Sequence, residues 1–512
     1  MAFPNTPFRR ILRAAVFGAA LAAGIAASPV APPAASLAAA PARPNVVMLL
    51  VDDLGACDFG CTGGRLARTP NIDALAAQGV LFTQAYSAGP VCSPSRAALL
   101  TGRSPAALGV TDWIPGDHPK GMPLETPSTR TALPAGVPTI AGALRDAGYR
   151  TLSIGKWHLG GTGSLPTDHG FAVNMFGSDA GQPSSYFFPF GKGTTDAWQV
   201  RPLPEGAKAG DELTELQGRE ACARIRAAAR DGVPYFLYLP FYAVHAPLQA
   251  PEPEVSAMRA RAAELGIARA QPTYAAMIER VDAAVGQVLR AIEESGATGS
   301  TVVILTSDNG GVEGVGDMGS LRGFKGTLYE GGIRVPLVVR WPGVTTAGAH
   351  VDAPVTGMDV AATVLDAAGA SFAESDRAQV EGRSVRALLA SVPLAPPASA
   401  ASGIAPSADA LAAWRARPVF WHYPHYHTPK RPPASAVRIG NWKLIRHDGT
   451  AVMELYDLAA DPSEHHDLAA QDPARAAAMA ATLDHWLAQR SAARARPTAA
   501  SFSPEAPRSV DP

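Results

Sequence analysis

The chain has 512 residues, with 44 Lys plus Arg against 45 Asp plus Glu and a net charge of −1. That balance excludes the basic excess expected of a nucleic-acid binder. A hydrophobic content of 47% excludes a disordered scaffold. The length exceeds the size at which a single core stops growing, so a large domain accompanied by a smaller one is expected.

Residues 1–42 read as a signal peptide and leader. Arg9, Arg10 and Arg13 precede an apolar run from Ala14 to Ala27, and small residues near Ala38, Ala39 and Ala40 suit cleavage. The run is short for a bilayer span, so no stable membrane anchor is expected. The Arg9-Arg10 pair also fits a twin-arginine route. Export to the periplasm or secretion from a bacterium follows. Four cysteines, Cys57, Cys61, Cys92 and Cys222, are far too few for a disulfide scaffold. Cys57 and Cys61 have no matching second pair, which argues against zinc and for packing or a local bridge.

From Asn45 to Val51 the chain is continuously apolar, as in a parallel strand buried on both faces. Similar runs follow at 149–154, 235–239, 302–306 and 337–339. Helical stretches lie between them: one from Thr69 and Pro70, one over 139–147 and one over 274–294. The alternation predicts an α/β domain over 43–390 with a large mixed, mostly parallel sheet sandwiched by helices. Residues 391–411 are rich in Ala, Ser and Pro and read as a flexible linker or loop. Short strands at 419–421, 435–439, 442–446 and 453–456, then a helix over 473–490, predict a C-terminal subdomain over 412–490. It would be a small antiparallel sheet plus a helix. Residues 491–512 read as a disordered tail.

Polar residues directly after the strands matter most, because ligands of open α/β sheets bind beyond the strand carboxyl ends. Asp52 and Asp53 end the first run, and Asp308 and Asn309 follow the run at 302–306. Adjacent carboxylates at a buried edge repel unless a cation or proton neutralises them. Three carboxylates and an amide oxygen, without imidazole or thiolate, favour Ca²⁺ or Mg²⁺ over zinc. Lys156 and His158 follow another strand, with the spacing that points both side chains to one side of an extended segment. His245 lies in V-H-A-P, and Lys325 lies in a glycine-rich run that lets backbone approach a ligand.

The stretch C-S-P-S-R-A-A-L-L-T-G-R starts at Cys92 and places Pro94 and Arg96 at fixed offsets. With D-D-L-G, G-K-W-H-L-G and L-Y-D-L-A-A-D-P, it resembles the type I, formylglycine-dependent sulfatases of the alkaline phosphatase superfamily. The resemblance extends from Arg43 to about Leu468. It implies that a formylglycine-generating enzyme converts Cys92 to an aldehyde, whose hydrate is the nucleophile. One hydroxyl attacks sulfur, and the second later expels sulfate. It further implies one divalent ion, Ca²⁺ before Mg²⁺, on Asp52, Asp53, Asp308 and Asn309, in contact with the modified Cys92. By the same resemblance Arg96 supports the aldehyde, while Lys156 and His158 orient the hydrate, with His158 the base for sulfate release. His245 and Lys325 bind sulfate, and either one protonates the leaving alcohol.

The segment F-W-H-Y-P-H-Y-H, with His422, His425 and His427, offers aromatics and imidazoles suited to sugar rings. Asp112, Trp113 and His118 lie on a second loop expected at the mouth. The segment resembles those of bacterial carbohydrate sulfatases, which implies a sulfated carbohydrate as the substrate, with aryl sulfates also cleaved. The alternatives are a phosphonate or phosphate ester hydrolase of the same superfamily, and a non-catalytic binder of sulfated glycans.

Overall fold

The computed structural model describes residues 43–117, 119–191, 199–389, 408–428 and 431–498. The leader at 1–42, His118 and most of the 391–411 segment lie outside the described residues. The apolar runs become the centre of an eight-stranded sheet. In chain order its strands are β1 (Asn45–Val51), β2 (Val80–Phe82), β3 (Arg150–Ile154), β4 (Val173–Met175), β5 (Tyr235–Pro240), β6 (Thr301–Ser307), β7 (Leu337–Arg340) and β8 (Ala349–Val351). Their spatial order is β8-β2-β7-β6-β1-β5-β3-β4. All run parallel to β1 except β7, which is antiparallel to both β6 and β2. The run at 337–339 was expected to be parallel. Its apolar continuity reflects burial on both faces, which does not fix strand direction.

Both faces of the sheet are covered. Around it run α1 (Pro70–Gln78), α2 (Cys92–Thr101), α3 (Ile140–Asp146), α4 (Leu213–Asp231), α5 (Pro272–Glu294) and α6 (Gly357–Ala368). Val47, Leu49 and Val51 pack with residues of α1, α4 and α5. Val46, Met48 and Leu50 pack with residues of α2, α3 and α6. Alternate residues of one strand thus feed two cores, which is why β1 shows no polar alternation. Thr139 caps α3, accepting from Gly142 N. Thr69 does not cap α1. Its hydroxyl instead accepts from Gly60 N and donates to Asp73.

The C-terminal strands β9 (Val419–Tyr423), β10 (Ala434–Ile439), β11 (Trp442–His447) and β12 (Met453–Asp457) form an antiparallel meander. One face packs on Tyr86, Val91, Leu328 and Ile333. The other packs on α7 (Pro473–Gln489) through Val437, Leu444, Leu455 and Leu483. A helix over Ala408–Arg415 begins inside the stretch read as a linker. Residues 491–498 are not a free tail. Arg496–Pro497 pairs with Leu124–Glu125, and Ala493 O bonds His422. Residues 499–512 lie outside the described residues. All four cysteines are free, so Cys57 and Cys61 form no bridge. Among the described residues no helix is long and apolar enough to cross a membrane.

Candidate active site

Strands β6, β1, β5 and β3 are neighbours and parallel, so their carboxyl ends meet along one edge of the sheet. Asp308 and Asn309 follow β6, Asp52 and Asp53 follow β1, His245 follows β5, and Lys156 and His158 follow β3. Cys92 is the first residue of α2, and its side chain is buried. Lys325 enters on its glycine-rich loop, where Lys325 N donates to Gly311 O and Gly326 N to Pro90 O, both at 2.9 Å. Asp53 and His158 adopt left-handed backbone, at φ 60° and 55°. Such strain is held only where surroundings over-determine it. Asp53 N donates to Asp308 Oδ1 at 3.2 Å, and His158 N to Ser178 O at 3.1 Å.

The side chains interlock. Lys156 Nζ donates to Asp52 Oδ2 at 2.6 Å. Arg96, fully buried, donates through Nε to Asp308 Oδ2 at 2.9 Å and through a terminal nitrogen to Lys156 O at 3.0 Å. Asn309 Nδ2 donates to Asp53 Oδ1 at 2.8 Å. Lys325 Nζ lies 2.7 Å from Asp53 Oδ1, 3.3 Å from His245 Nε2 and 3.6 Å from Cys92 Sγ. The Cys92 thiol lies 3.5 Å from Asp52 Oδ1.

Burial pushes the Cys92 thiol well above its ordinary range, so the unmodified side chain is neutral. Burial also lowers His245, to about 3, with Lys325 adding to the effect against Asp53. His158 is held well below an ordinary imidazole by burial and by Lys156. Lys325 goes the other way: burial alone would lower it, but the Asp53 carboxylate outweighs that and raises it.

A divalent cation fits this set. Ligand atoms of Asp52, Asp53, Cys92 and His245 all lie within 4.8 Å of one another. Among the described residues the Asn309 amide oxygen is buried without a hydrogen-bond partner, the state expected of an oxygen shaped to meet a cation. Burial and the neighbouring Asp308 push Asp52 up to about 7, although Lys156 and Arg96 oppose the shift. A further positive charge would keep it ionised. The oxygen-rich donors, with Asp308 and Asn309 beside them, suit a hard cation.

A cavity of about 240 Å³ opens over these groups, lined by Cys92, Trp113, His158, Gly181, Gln182, His245, Lys325 and His427. The structure therefore brings Trp113 and His427 to the mouth, as the sequence suggested. It corrects His422 and His425. His422 is buried between Ser435 Oγ and Ala493 O, both at 2.8 Å. His425 is fully buried, with Nε2 against Thr111 Oγ1 at 2.8 Å. Neither lines the cavity. Gln182 and Gly181 were not anticipated: G-Q-P marks a turn, and nothing local links it to the site. A Cβ on Gly181 would meet the His158 ring at 2.7 Å.

The sequence matches the Sulfatase family model over residues 44–370. N-acetylgalactosamine-6-sulfatase of Rattus norvegicus is 34% identical over 356 residues, covering 65% of this chain and 63% of the relative. The chain thus spans slightly less than two thirds of that relative's length. Steryl-sulfatase of Homo sapiens is 31% identical over 428 residues, covering 68% of this chain and 70% of the relative. The crystal structure of Ps i-CgsB in complex with k-i-k-neocarrahexaose superposes with a TM-score of 0.69 and 28% identity, covering 87% of this chain and 93% of that one. A cysteine opening a buried helix within a nest of acids and cations, together with this family match, means that the chain belongs to the sulfatase family.

Proposed function

We propose that the protein hydrolyses sulfate esters, with a sulfated carbohydrate as its natural substrate and aryl sulfates as accessible surrogates. One observation carries the reading. The Cys92 side chain sits in the cavity beside Lys325 Nζ and Asp52 Oδ1, with His158 and His245 in the same wall. The N-acetylgalactosamine-6-sulfatase relatives and the oligosaccharide complex of Ps i-CgsB support a sulfated sugar. The basic, apolar leader of the sequence supports export to the periplasm or outside.

A neutral buried thiol is a poor nucleophile, and its attack would leave a stable thiosulfate-like adduct. Formylglycine made from Cys92 by a formylglycine-generating enzyme would supply, as its hydrate, one hydroxyl to attack sulfur and a second to expel sulfate. Ca²⁺, or less readily Mg²⁺, held by Asp52, Asp53, Asp308 and Asn309 would supply Lewis-acid polarisation of sulfate oxygens at the Cys92 position.

The chain's own groups do the rest. Arg96 braces Asp308 and the Lys156 carbonyl, fixing the floor under residue 92. Lys156 and Lys325 place two cations where sulfate oxygens gather negative charge. His158 is neutral, so it can take a proton from the reacting hydroxyl and trigger release. His245 Nδ1 meets the Ala246 carbonyl at 3.0 Å. A carbonyl only accepts, so that proton sits on Nδ1 and Nε2 accepts from Lys325. The proton for the leaving oxygen therefore starts on Lys325, with His245 Nε2 beside it.

The test is a mass spectrum of the Cys92 peptide from protein made in its own host, combined with sulfate release from an aryl sulfate. An aldehyde mass with turnover lost in Cys92→Ala, whose fold stays intact, is the expected result. Faster release from an aryl phosphonate or phosphate diester than from the sulfate would overturn the sulfate assignment. An intact thiol, with no release after co-expression with the modifying enzyme, would favour a glycan binder.

A further inference from the structure

We propose that Asp112 and Tyr423 are positioning residues for His158, acting through the segment 111–114. The inference rests on the reading of His158 as the base for sulfate release.

The His158 ring can serve as a base only if one nitrogen carries a lone pair in a fixed place. His158 Nε2 lies 2.6 Å from Ile114 O, and a carbonyl only accepts, so Nε2 carries the proton. Nδ1 keeps the lone pair, and it is buried with no hydrogen-bond partner among the described residues. The same residue, Ile114, also grips the main chain of His158. Ile114 N donates to Ser93 Oγ at 3.0 Å, and Ser93 Oγ donates to His158 O at 2.9 Å. Ile114 thus fixes the ring proton at one end and, through the neighbour of Cys92, the backbone at the other.

Ile114 itself belongs to a loop, and its anchor is the buried carboxylate of Asp112. Asp112 Oδ1 accepts from Trp113 N at 2.9 Å and from Tyr423 Oη at 3.0 Å, and Oδ2 accepts from Asp117 N at 3.3 Å. One residue earlier, Thr111 Oγ1 meets His425 Nε2 at 2.8 Å. Tyr423 ends β9 and His425 follows it, with their rings 5.6 Å apart edge to face. Neither lines the cavity. A hydroxyl from the C-terminal sheet therefore sets the carbonyl that decides which His158 nitrogen is free. Removing it leaves Asp112 a donor short and lets the loop shift, and misplacement of about 1 Å costs on the order of a hundredfold in rate.

The test uses the full-length, formylglycine-converted enzyme. Tyr423→Phe, which keeps the ring, is expected to lower kcat roughly ten- to hundredfold and leave KM within about twofold. The same loss is expected for Asp112→Asn. In a His158→Ala background Tyr423→Phe is expected to add nothing, because both changes remove one function. A turnover-independent readout is the tautomer of His158 in ¹⁵N-histidine-labelled protein. Nε2-protonated signals are expected in the wild type and a mixed or switched pattern in Tyr423→Phe. Wild-type kcat in Tyr423→Phe, an equal further loss in the His158→Ala background, or an unchanged tautomer would each overturn the inference. Full activity in His158→Ala, with the tautomer still responding to Tyr423→Phe, would instead sink the base assignment and leave the positioning intact.

Discussion

Lys325 Nζ lies 2.7 Å from Asp53 Oδ1 and 3.6 Å from Cys92 Sγ, so a single cation reaches both a buried carboxylate of the proposed metal set and the side chain of the proposed nucleophile. Lys325 also shares its charge with His245 Nε2 at 3.3 Å. In the proposed mechanism, removing it takes away sulfate binding, the leaving-group proton and the neutralisation of Asp53 together. Lys325→Ala is expected to lose on the order of 10²- to 10³-fold in kcat, as for other preorganised donors at a developing charge. Steady-state rates on an aryl sulfate, at matched formylglycine content, check this. Activity within a few-fold of wild type would refute the role.

Metal removal is expected to silence the enzyme reversibly. Prolonged dialysis against a chelator should abolish sulfate release, and Ca²⁺ should restore it. Binding to the folded state alone should also raise stability, by about 2.7 kcal/mol when free Ca²⁺ exceeds its Kd a hundredfold. A melting temperature indifferent to Ca²⁺ would argue against the four-oxygen site.

A buried charge cluster outside the cavity sets a pH dependence of stability. Lys443 Nζ lies 2.9 Å from Glu330 Oε1 and 2.8 Å from Glu464 Oε1, with all three side chains shielded from solvent. Burial pushes Glu464 up to about 7, with Lys443 opposing and Glu330 adding to the rise. Two acids share one lysine, so one of them keeps its proton more readily. A raised folded pKa means that the contribution is fully present below the ordinary glutamate range. It is lost as pH climbs from about 4.5 through about 7, by about 3 kcal/mol at the upper end. Glu330 is held down to about 2: burial opposes the shift, but Lys443 and neighbouring arginines outweigh it. Its effect therefore falls below pH 4.5. Glu464→Gln should remove the upper window, so its melting temperature should gain on wild type between pH 5 and pH 8. A constant difference across that range would disprove the assignment.

Glycine 155 carries a steric demand that a surface glycine does not. At φ +136° a Cβ there would sit 1.8 Å from Pro240 O and 2.5 Å from Gln217 Nε2, at the strand end that delivers Lys156. Gly232, at φ +66°, has nothing within 4 Å of the same position. Gly232→Ala should cost about 1–2 kcal/mol from left-handed backbone alone. Gly155→Ala should cost several times more or prevent folding. Urea midpoints of the two variants test the contrast.

Much of this architecture is legible in the amino-acid sequence. Unbroken apolar runs identified β1, β3, β5 and β6 nearly to the residue, because strands buried on both faces need apolar side chains at every position. The groups that follow them were legible for the same reason: a polar residue directly after such a strand must lie at its carboxyl end. Asp52, Asp53, Asp308 and Asn309 could therefore be named from local sequence, the resemblance to sulfatase motifs added Lys156, His158, His245 and Lys325, and C-S-P-S-R added Cys92 and Arg96.

Direction and facing were decided elsewhere. β7 runs against its neighbours because the connection from β6 returns beside it, and its buried composition is indifferent to that choice. The histidines of the C-terminal segment look equivalent in sequence. The pleat and register of β9 against β10 turn His422 toward Ser435, and the packing of the segment on residues 111–117 buries His425. His427 alone reaches the cavity, past the end of the strand. Gln182 arrives on a loop with no periodic signal. Sequence by itself determined which chemistry the chain carries, because that chemistry sits next to the hydrophobic runs that fold it. Tertiary structure alone decided which side chains line the cavity, because that depends on contacts between segments hundreds of residues apart.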